Sequence, residues 1–118
     1  MEKTIEKAVW LSFDLGIGGD YPGLYKWLDN HNAIECGDSV AFFKLPVASS
    51  KANQIDAIVK KEIEASVRLR AGDRVYMVWR EQTDSTCAVK GDFILGKRKA
   101  KPWEGYGDSK SSGGESGE

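Results

Sequence analysis

The stretch "AVWLSFDLGIGGD", residues 8–20, joins an alternating apolar segment to a carboxylate and a group of glycines. Its first part alternates with a period of two, which predicts a β-strand with one buried face. One side of that strand carries Val9, Leu11 and Phe13, and the other carries Trp10, Ser12 and Asp14. The glycines that follow suit a phosphate-binding loop, a metal site or a tight turn. The rest of the chain has to decide among these uses.

Composition limits the classes of protein to which the chain can belong. Its 118 residues are 41% hydrophobic, which is enough for one core, and its formal net charge is −1, so an anionic partner has to be held by a local patch. The apolar runs are too short to span a bilayer and the first residues lack a signal-peptide pattern, which predicts a cytosolic protein. Cys36 and Cys87 are too few for a disulfide framework and are expected to be buried apolar side chains.

Periodicity and capping signals predict two helices and three further extended segments after the glycines. In chain order these are a helix over 21–30 with Asp20 as N-cap, a strand over 40–45, a helix from Ser49 or Ser50 through Ser66, a strand over 74–81, and an extended segment over 87–97 that Gly91 and Asp92 bend or divide. We interpret the order as β-α-β-β-α-β, which requires a second strand between the helices besides the one over 40–45. Residues 107–118 are rich in glycine, serine and charge, which predicts a disordered tail after a single domain of residues 1–106.

This order predicts an α+β, ferredoxin-like βαββαβ fold, with a four-stranded antiparallel sheet, both helices on one face and an optional extra carboxy-terminal strand. The first and third strands are expected at the centre of the sheet. The open face would then carry Trp10, Ser12 and either Tyr76 or Trp79, which together are too apolar to remain in water. A second subunit would cover that face in a homodimer, or bases would stack on it.

Asp14 is the first candidate site residue, because it ends a central strand at the rim of the sheet. Two copies of Asp14 near a two-fold axis would repel each other unless they shared a proton or a cation such as Mg²⁺. Alternatively, Asp14 caps the turn over Gly16–Gly19 with its own side chain. The segment "GIGGDY" lacks the last glycine of a dinucleotide-binding motif, so a nucleotide loop is not favoured.

The one basic cluster lies after the last extended segment, where Lys97, Arg98, Lys99 and Lys101 precede Trp103 and Tyr106. Four positive charges beside two aromatic rings suit binding to a nucleic-acid backbone and stacking on a base. The same lysines also suit a solvated strand end that prevents edge-to-edge pairing. His31, the only histidine, is expected near the end of the first helix as a surface residue or as a partner of the C-terminal helix dipole.

Four segments resemble the Cas2-like family, which includes Cas2-related toxins: "SFDLG", "LYKWLDNHNA", "GDSVAFFKL" and "DRVYMVWRE". The resemblance covers about residues 8–100. It implies a homodimer formed through the open sheet face, often with a carboxy-terminal strand completing the sheet of the partner. In members described as metal-dependent nucleases, the aspartate that ends the first strand is implicated in holding magnesium at the dimer axis. Asp14 occupies that position, so the resemblance implies a catalytic and metal-binding role for it.

Two hypotheses for the function follow. The first is a small homodimeric Cas2-like protein that engages nucleic acid, with metal-dependent cleavage if Asp14 holds magnesium and Lys97, Arg98 and Lys99 fix the backbone. The second is a non-catalytic interaction module whose open sheet face is an interface with a second copy or with a partner protein. The near-zero net charge and the absence of basic residues in the loop after Asp14 favour the second hypothesis.

Overall fold

The structure is a computed structural model that describes residues 2–82 and 86–108. These residues form five strands and two α-helices. The elements are β1 (Thr4–Asp14), α1 (Tyr21–Asn30), β2 (Ile34–Glu35), β3 (Val40–Ala48), α2 (Ile55–Ser66), β4 (Arg74–Gln82) and β5 (Cys87–Leu95). A single 3₁₀ turn over Ser49–Lys51 precedes α2, so the second helix begins later than the serines predicted. Most of the predicted tail, from residue 109 onward, lies outside the described residues.

All five strands join one antiparallel sheet in the order β2-β3-β1-β4-β5. The predicted α+β class is therefore confirmed, whereas the predicted count of four strands is wrong. The strand that no predicted segment covers is β2, which lies where the sequence predicts only a bend or bulge. Gly37 has a φ of 140°, which turns the chain so that Ile34 pairs with Phe42. β5 is continuous, so Gly91 and Asp92 do not divide it.

The hydrophobic core lies between the two helices and one face of the sheet. Val9 and Leu11 of β1 are 0% exposed, which confirms the side of this strand that the alternation assigns to the core. The helices contribute Leu24, Trp27, Leu28, Ile55, Val59 and Ile63 to the same cluster. On α1 the spacing of Tyr21, Leu24, Tyr25 and Leu28 at i, i+3, i+4 and i+7 favours an inward Tyr25, but Tyr25 is 52% exposed and Trp27 is buried instead. The buried stripe of this helix is therefore shifted towards Trp27.

The helices are also joined by a polar contact that the sequence does not reveal. The indole Nε1 of Trp27 donates to Glu62 Oε1 at 3.1 Å, and His31 Nε2 lies 3.2 Å from the same oxygen. The other ring nitrogen of His31 lies 2.8 Å from the carbonyl oxygen of Trp27. His31 therefore ends α1 as its C-cap and faces α2, rather than lying free at the surface.

Two further expectations are tested by the fold. Cys36 and Cys87 are both exposed, so the prediction that they are buried apolar side chains is wrong. Cys87 Sγ instead lies 2.8 Å from Arg80 Nη2. In the described part of the chain, no helix is long and apolar enough to cross a membrane.

The Trp27–Glu62 contact leads to a stability prediction. In Glu62→Ala the buried indole N–H loses its acceptor, which is expected to lower the free energy of unfolding by about 1–3 kcal/mol. Glu64→Ala is the matched control, because Glu64 is an exposed glutamate on the same helix and should change stability by less than about 0.5 kcal/mol. Urea unfolding of both variants measures this, and equal losses would contradict the role of Glu62.

Candidate functional site

The sheet face opposite the helices carries two aromatic pairs. The rings of Trp10 and Phe42 have centroids 4.9 Å apart across β1 and β3, and those of Tyr76 and Phe93 are 4.9 Å apart across β4 and β5. Strand register produces these pairs, since Trp10 lies opposite Phe42 and Tyr76 lies opposite Phe93. We call this surface the open face. Neither helix of the described chain packs against it, because both bury their apolar stripes in the core on the other side.

The structure separates the four residues predicted for this face. Trp10 is 37% exposed, Ser12 is exposed and Tyr76 is half-buried, and all three belong to the open face. Trp79 does not, because it is 4% exposed and lies in the core beside its register partner Val9. Of the two residues between which the sequence leaves the choice open, Tyr76 therefore lies on the open face and Trp79 does not.

Asp14 lies at the rim of the open face in an ion pair. Its Oδ2 accepts from Arg74 Nη2 at 2.9 Å, because the register of β1 and β4 places these two residues opposite each other. Arg74 is partly buried, and its Nε has no hydrogen-bond partner within the described residues. The predicted cap does not form either, since the side chain of Asp14 points to Arg74 rather than to the glycine turn.

A second arginine reaches the same rim from the segment after β5. Gly96 has a φ of 74°, and a Cβ atom there would lie 2.6 Å from the carbonyl oxygen of Asp73, so the sharp turn requires glycine. This turn brings Arg98 over the open face, with its Cζ 5.3 Å from the ring centroid of Phe93 and 6.0 Å from that of Tyr76. The Cζ of Arg74 is 5.6 Å from the Phe93 centroid. Two guanidinium groups therefore flank Phe93.

These side chains line an open depression of about 270 Å³, which we call the rim pocket. Its walls are formed by Ser12, Asp14, Arg74, Tyr76, Phe93 and Arg98. Within one chain the pocket contains two guanidinium groups against one carboxylate, so its charge suits an anion and does not suit a divalent cation. Within one chain, the described residues contain no group of three or more histidine, cysteine, aspartate or glutamate side chains that could hold a metal, and the sharing of Mg²⁺ by two copies of Asp14 stays a prediction.

The residues of the predicted basic cluster have different surroundings in the structure. Arg98 contacts the aromatic rings of the open face, while Lys97, Lys99 and Lys101 are exposed beside it. Trp103 and Tyr106 are also largely exposed and follow in a turn in which the N–H of Tyr106 donates to the carbonyl oxygen of Trp103. Sequence reasoning found this cluster but missed Phe93 and Arg74. Only the pairing of strands brings these two residues to the site, since Arg74 lies opposite Asp14 of β1 and Phe93 lies opposite Tyr76 of β4.

The glycine-rich loop after β1 is a tight turn held by a different aspartate. Asp73 is 5% exposed, and its carboxylate accepts from the backbone N–H of Gly16 and of Arg70, each at 2.9 Å. The guanidinium of Arg70 donates to the carbonyl oxygen of Ile17. The N–H of Gly16 is therefore taken by Asp73, and the N–H of Gly19 is taken by the carbonyl oxygen of Gly16, so neither is free to bind a phosphate.

Asp20 caps α1 as the sequence predicts. Its carboxylate accepts from the N–H of Gly23 at 3.1 Å and from the N–H of Arg68 at 2.8 Å. The hydrogen bond from Arg68, followed by that from Gly23, lowers the pKa of Asp20 from its ordinary value. One carboxylate therefore fastens the start of α1 to the segment that precedes β4.

Comparison with protein-family models, with curated proteins and with solved structures gave no match to this chain. The resemblance to the Cas2-like family therefore stays a prediction, and the interpretation of the site rests on its own geometry.

The lowered pKa of Asp20 predicts a pH-dependent loss of stability. An unfolded aspartate titrates at about 3.9, so the ionised carboxylate stabilises the fold above that pH, and this contribution is lost as the pH falls through the lowered folded value. Asp20→Asn keeps an acceptor oxygen but has no charge to lose. The stability difference between the unmodified protein and Asp20→Asn should therefore shrink between about pH 6 and about pH 3.

Urea unfolding at both pH values measures this difference. Asp38→Asn is the control, because Asp38 is exposed in the turn before β3 and accepts no such pair of backbone hydrogen bonds within the described residues. A difference for Asp20→Asn that is the same at both pH values would contradict the link between these hydrogen bonds and the titration.

Proposed function

We propose that the chain binds nucleic acid on the open face and on the adjoining basic segment of residues 97–101. The observation that carries this proposal is the meeting of cations and aromatic rings at the rim pocket, where Arg74 and Arg98 flank Phe93. Lysine and arginine bind phosphates without regard to sequence, and exposed rings stack on bases. Both kinds of group lie side by side on one surface.

The distribution of charge supports this proposal despite the net charge of −1. Lys44 on β3 and Arg80 on β4 are exposed near the middle of the sheet, where they help to form a second shallow cavity of about 310 Å³. Lys97, Lys99 and Lys101 add positive charge at one edge. A local basic patch therefore attracts a phosphate backbone to one side of the molecule. A chain of near-zero net charge can bind an anionic partner only through such a patch.

The strand order gives further support. The portion β2-β3-β1-β4 has the order expected of a ferredoxin-like βαββαβ arrangement, and β5 adds a strand beside β4. We propose this description of the fold, in line with the resemblance to Cas2-like proteins. Such a sheet, with helices on one side, leaves its other side available to stack bases.

The proposal does not extend to metal-dependent cleavage. The only carboxylate of the rim pocket, that of Asp14, is paired with Arg74 at 2.9 Å, and Arg98 adds a further positive charge. These groups oppose a cation and attract a phosphate.

A second candidate function is favoured by the aromatic pair farthest from the basic segment. Trp10 and Phe42 present a tilted ring pair with no cation–π contact in the described part of the chain. Such a surface suits a homodimer interface, in which the chain is a non-catalytic interaction module. In that case a second copy would cover the open face and compete with nucleic acid for it.

The basic segment leads to a binding prediction. Replacing Lys97, Lys99 and Lys101 with alanine should weaken the binding of a labelled oligonucleotide and reduce the slope of log affinity against log salt by roughly two to three. The matched control replaces Lys26, Lys60 and Lys61, three exposed lysines of α1 and α2, with alanine. The control removes the same charge but should leave the slope unchanged.

Fluorescence anisotropy over a range of salt concentrations measures both slopes. Absence of binding at low salt, together with a solution mass twice that of the chain, would overturn the proposal in favour of the interaction module. Equal slopes for the two triple variants would also overturn it, because binding would then follow net charge rather than the open face.

A further inference from the structure

The rim pocket has the dimensions of a small ligand site. Its volume of about 270 Å³ lies just below the range of roughly 300–1,000 Å³ that is usual for small-molecule pockets. The pocket combines two aromatic rings, two guanidinium groups, a carboxylate and a hydroxyl, which come from Tyr76, Phe93, Arg74, Arg98, Asp14 and Ser12. It therefore accommodates one planar ring and an attached phosphate rather than a longer segment.

The aromatic wall of the pocket favours an unpaired base. The bases of a duplex are already stacked and paired, so only their edges and the phosphates are accessible to a protein. A splayed base can instead lie against an aromatic ring or the plane of an arginine guanidinium. Phe93 and Arg98, whose Cζ lies 5.3 Å from the ring centroid, provide both surfaces at one point.

The carboxylate of Asp14 adds a preference for certain bases. One of its oxygens accepts from Arg74, which leaves the other without a hydrogen-bond donor within the described residues. An ionised carboxylate only accepts hydrogen bonds. It can therefore accept from the exocyclic amino group of an unpaired cytosine, adenine or guanine, whereas thymine has no amino group and offers only its ring N3–H between two carbonyl oxygens that the carboxylate repels.

Arg74 has a positioning role in this arrangement. Its hydrogen bond of 2.9 Å to Asp14 fixes the carboxylate at the rim, and its Cζ lies 5.6 Å from the Phe93 ring centroid. Arg98 is exposed and lies between the exposed Lys97 and Lys99 in the sequence, so it can follow the phosphate of a bound nucleotide. Ring, acceptor and phosphate ligand thus come from three different segments of the chain.

From these contacts we infer that the rim pocket holds one unpaired base bearing an exocyclic amino group, so that the nucleic acid is bound as a single strand. This inference rests on the proposed function and deepens it. It assigns stacking to Phe93 and Tyr76, base selection to Asp14 and phosphate binding to Arg98. It also replaces the magnesium role predicted for Asp14 with the recognition of an amino group.

The test uses the full chain and three labelled probes of equal length: oligo(dC), oligo(dT) and a hairpin duplex. At one salt concentration, oligo(dC) should bind about fivefold more tightly than oligo(dT), the effect of about one hydrogen bond. Both single strands should bind more tightly than the duplex. Fluorescence anisotropy gives the three affinities.

Asp14→Asn provides the decisive variant. An amide both donates and accepts, so this variant should bind oligo(dT) and oligo(dC) with a ratio near one, and its affinity for oligo(dT) should rise because a negative charge is removed. A gain in affinity is not expected from mere damage to the fold. Asp29→Asn is the matched control, since Asp29 is exposed on α1, and it should keep the fivefold ratio.

A second variant tests stacking independently. Phe93→Leu should reduce the preference for single strands over the duplex, while Tyr25→Leu, at an exposed tyrosine of α1, should not. Tyr76→Leu, at the other ring of the rim pocket, tests the same stack if Phe93→Leu fails to fold.

The outcomes separate the inference from the proposed function. Salt-dependent binding with equal affinities for oligo(dC) and oligo(dT), or with the duplex bound most tightly, would overturn the inference and leave the proposed function standing. Absence of binding to all three probes at low salt would overturn both.

Discussion

Burial of Val9 and Leu11 against the two helices constrains the rest of the molecule. Side chains of a strand alternate between two faces, so fixing these two residues in the core forces Trp10 and Ser12 to the opposite face. A slip of β1 by one residue would exchange the two sets and expose the core, which is why its register is firmly set. Because β1 lies at the centre of the sheet, its orientation also determines the faces of β3 and β4.

Asp73 and Asp14 have different roles because their carboxylates have different hydrogen-bond partners. Asp73 is buried and accepts two backbone N–H groups, so it holds the glycine loop in place and is unavailable to a ligand. Asp14 is exposed and meets a guanidinium, so it retains lone pairs at the rim of the open face. The sequence "FDLGIGGD" therefore combines a structural turn with a surface acceptor, and the glycines serve the turn rather than a phosphate.

The spacing of residues along one segment was sufficient to predict the elements that show a regular pattern, and it was insufficient for the others. The N-cap at Asp20 and the buried stripe of α2 follow from spacing along one segment, and both were predictable. β2 was not predictable, because a strand of two residues is too short to show an alternating pattern. Trp79 was ambiguous because β4 is apolar on both faces, so alternation cannot say which face is buried without its partner strand. The meeting of Arg98 with Phe93 depends on the turn at Gly96 and on the β4–β5 register, neither of which a local pattern encodes.

The net charge of −1 is a poor guide to the field that a ligand meets at the open face. Secondary-structure layers pack about 10 Å apart, whereas the Debye length at physiological ionic strength is about 8 Å. Acidic side chains on the outer surface of the helices, such as Asp29 and Glu64, are therefore largely screened from the open face. The field there is set by nearby groups, above all Arg74, Arg98 and the lysines that follow β5. A near-neutral chain can thus attract a phosphate backbone on one side, and the attraction weakens with salt because these cations are exposed.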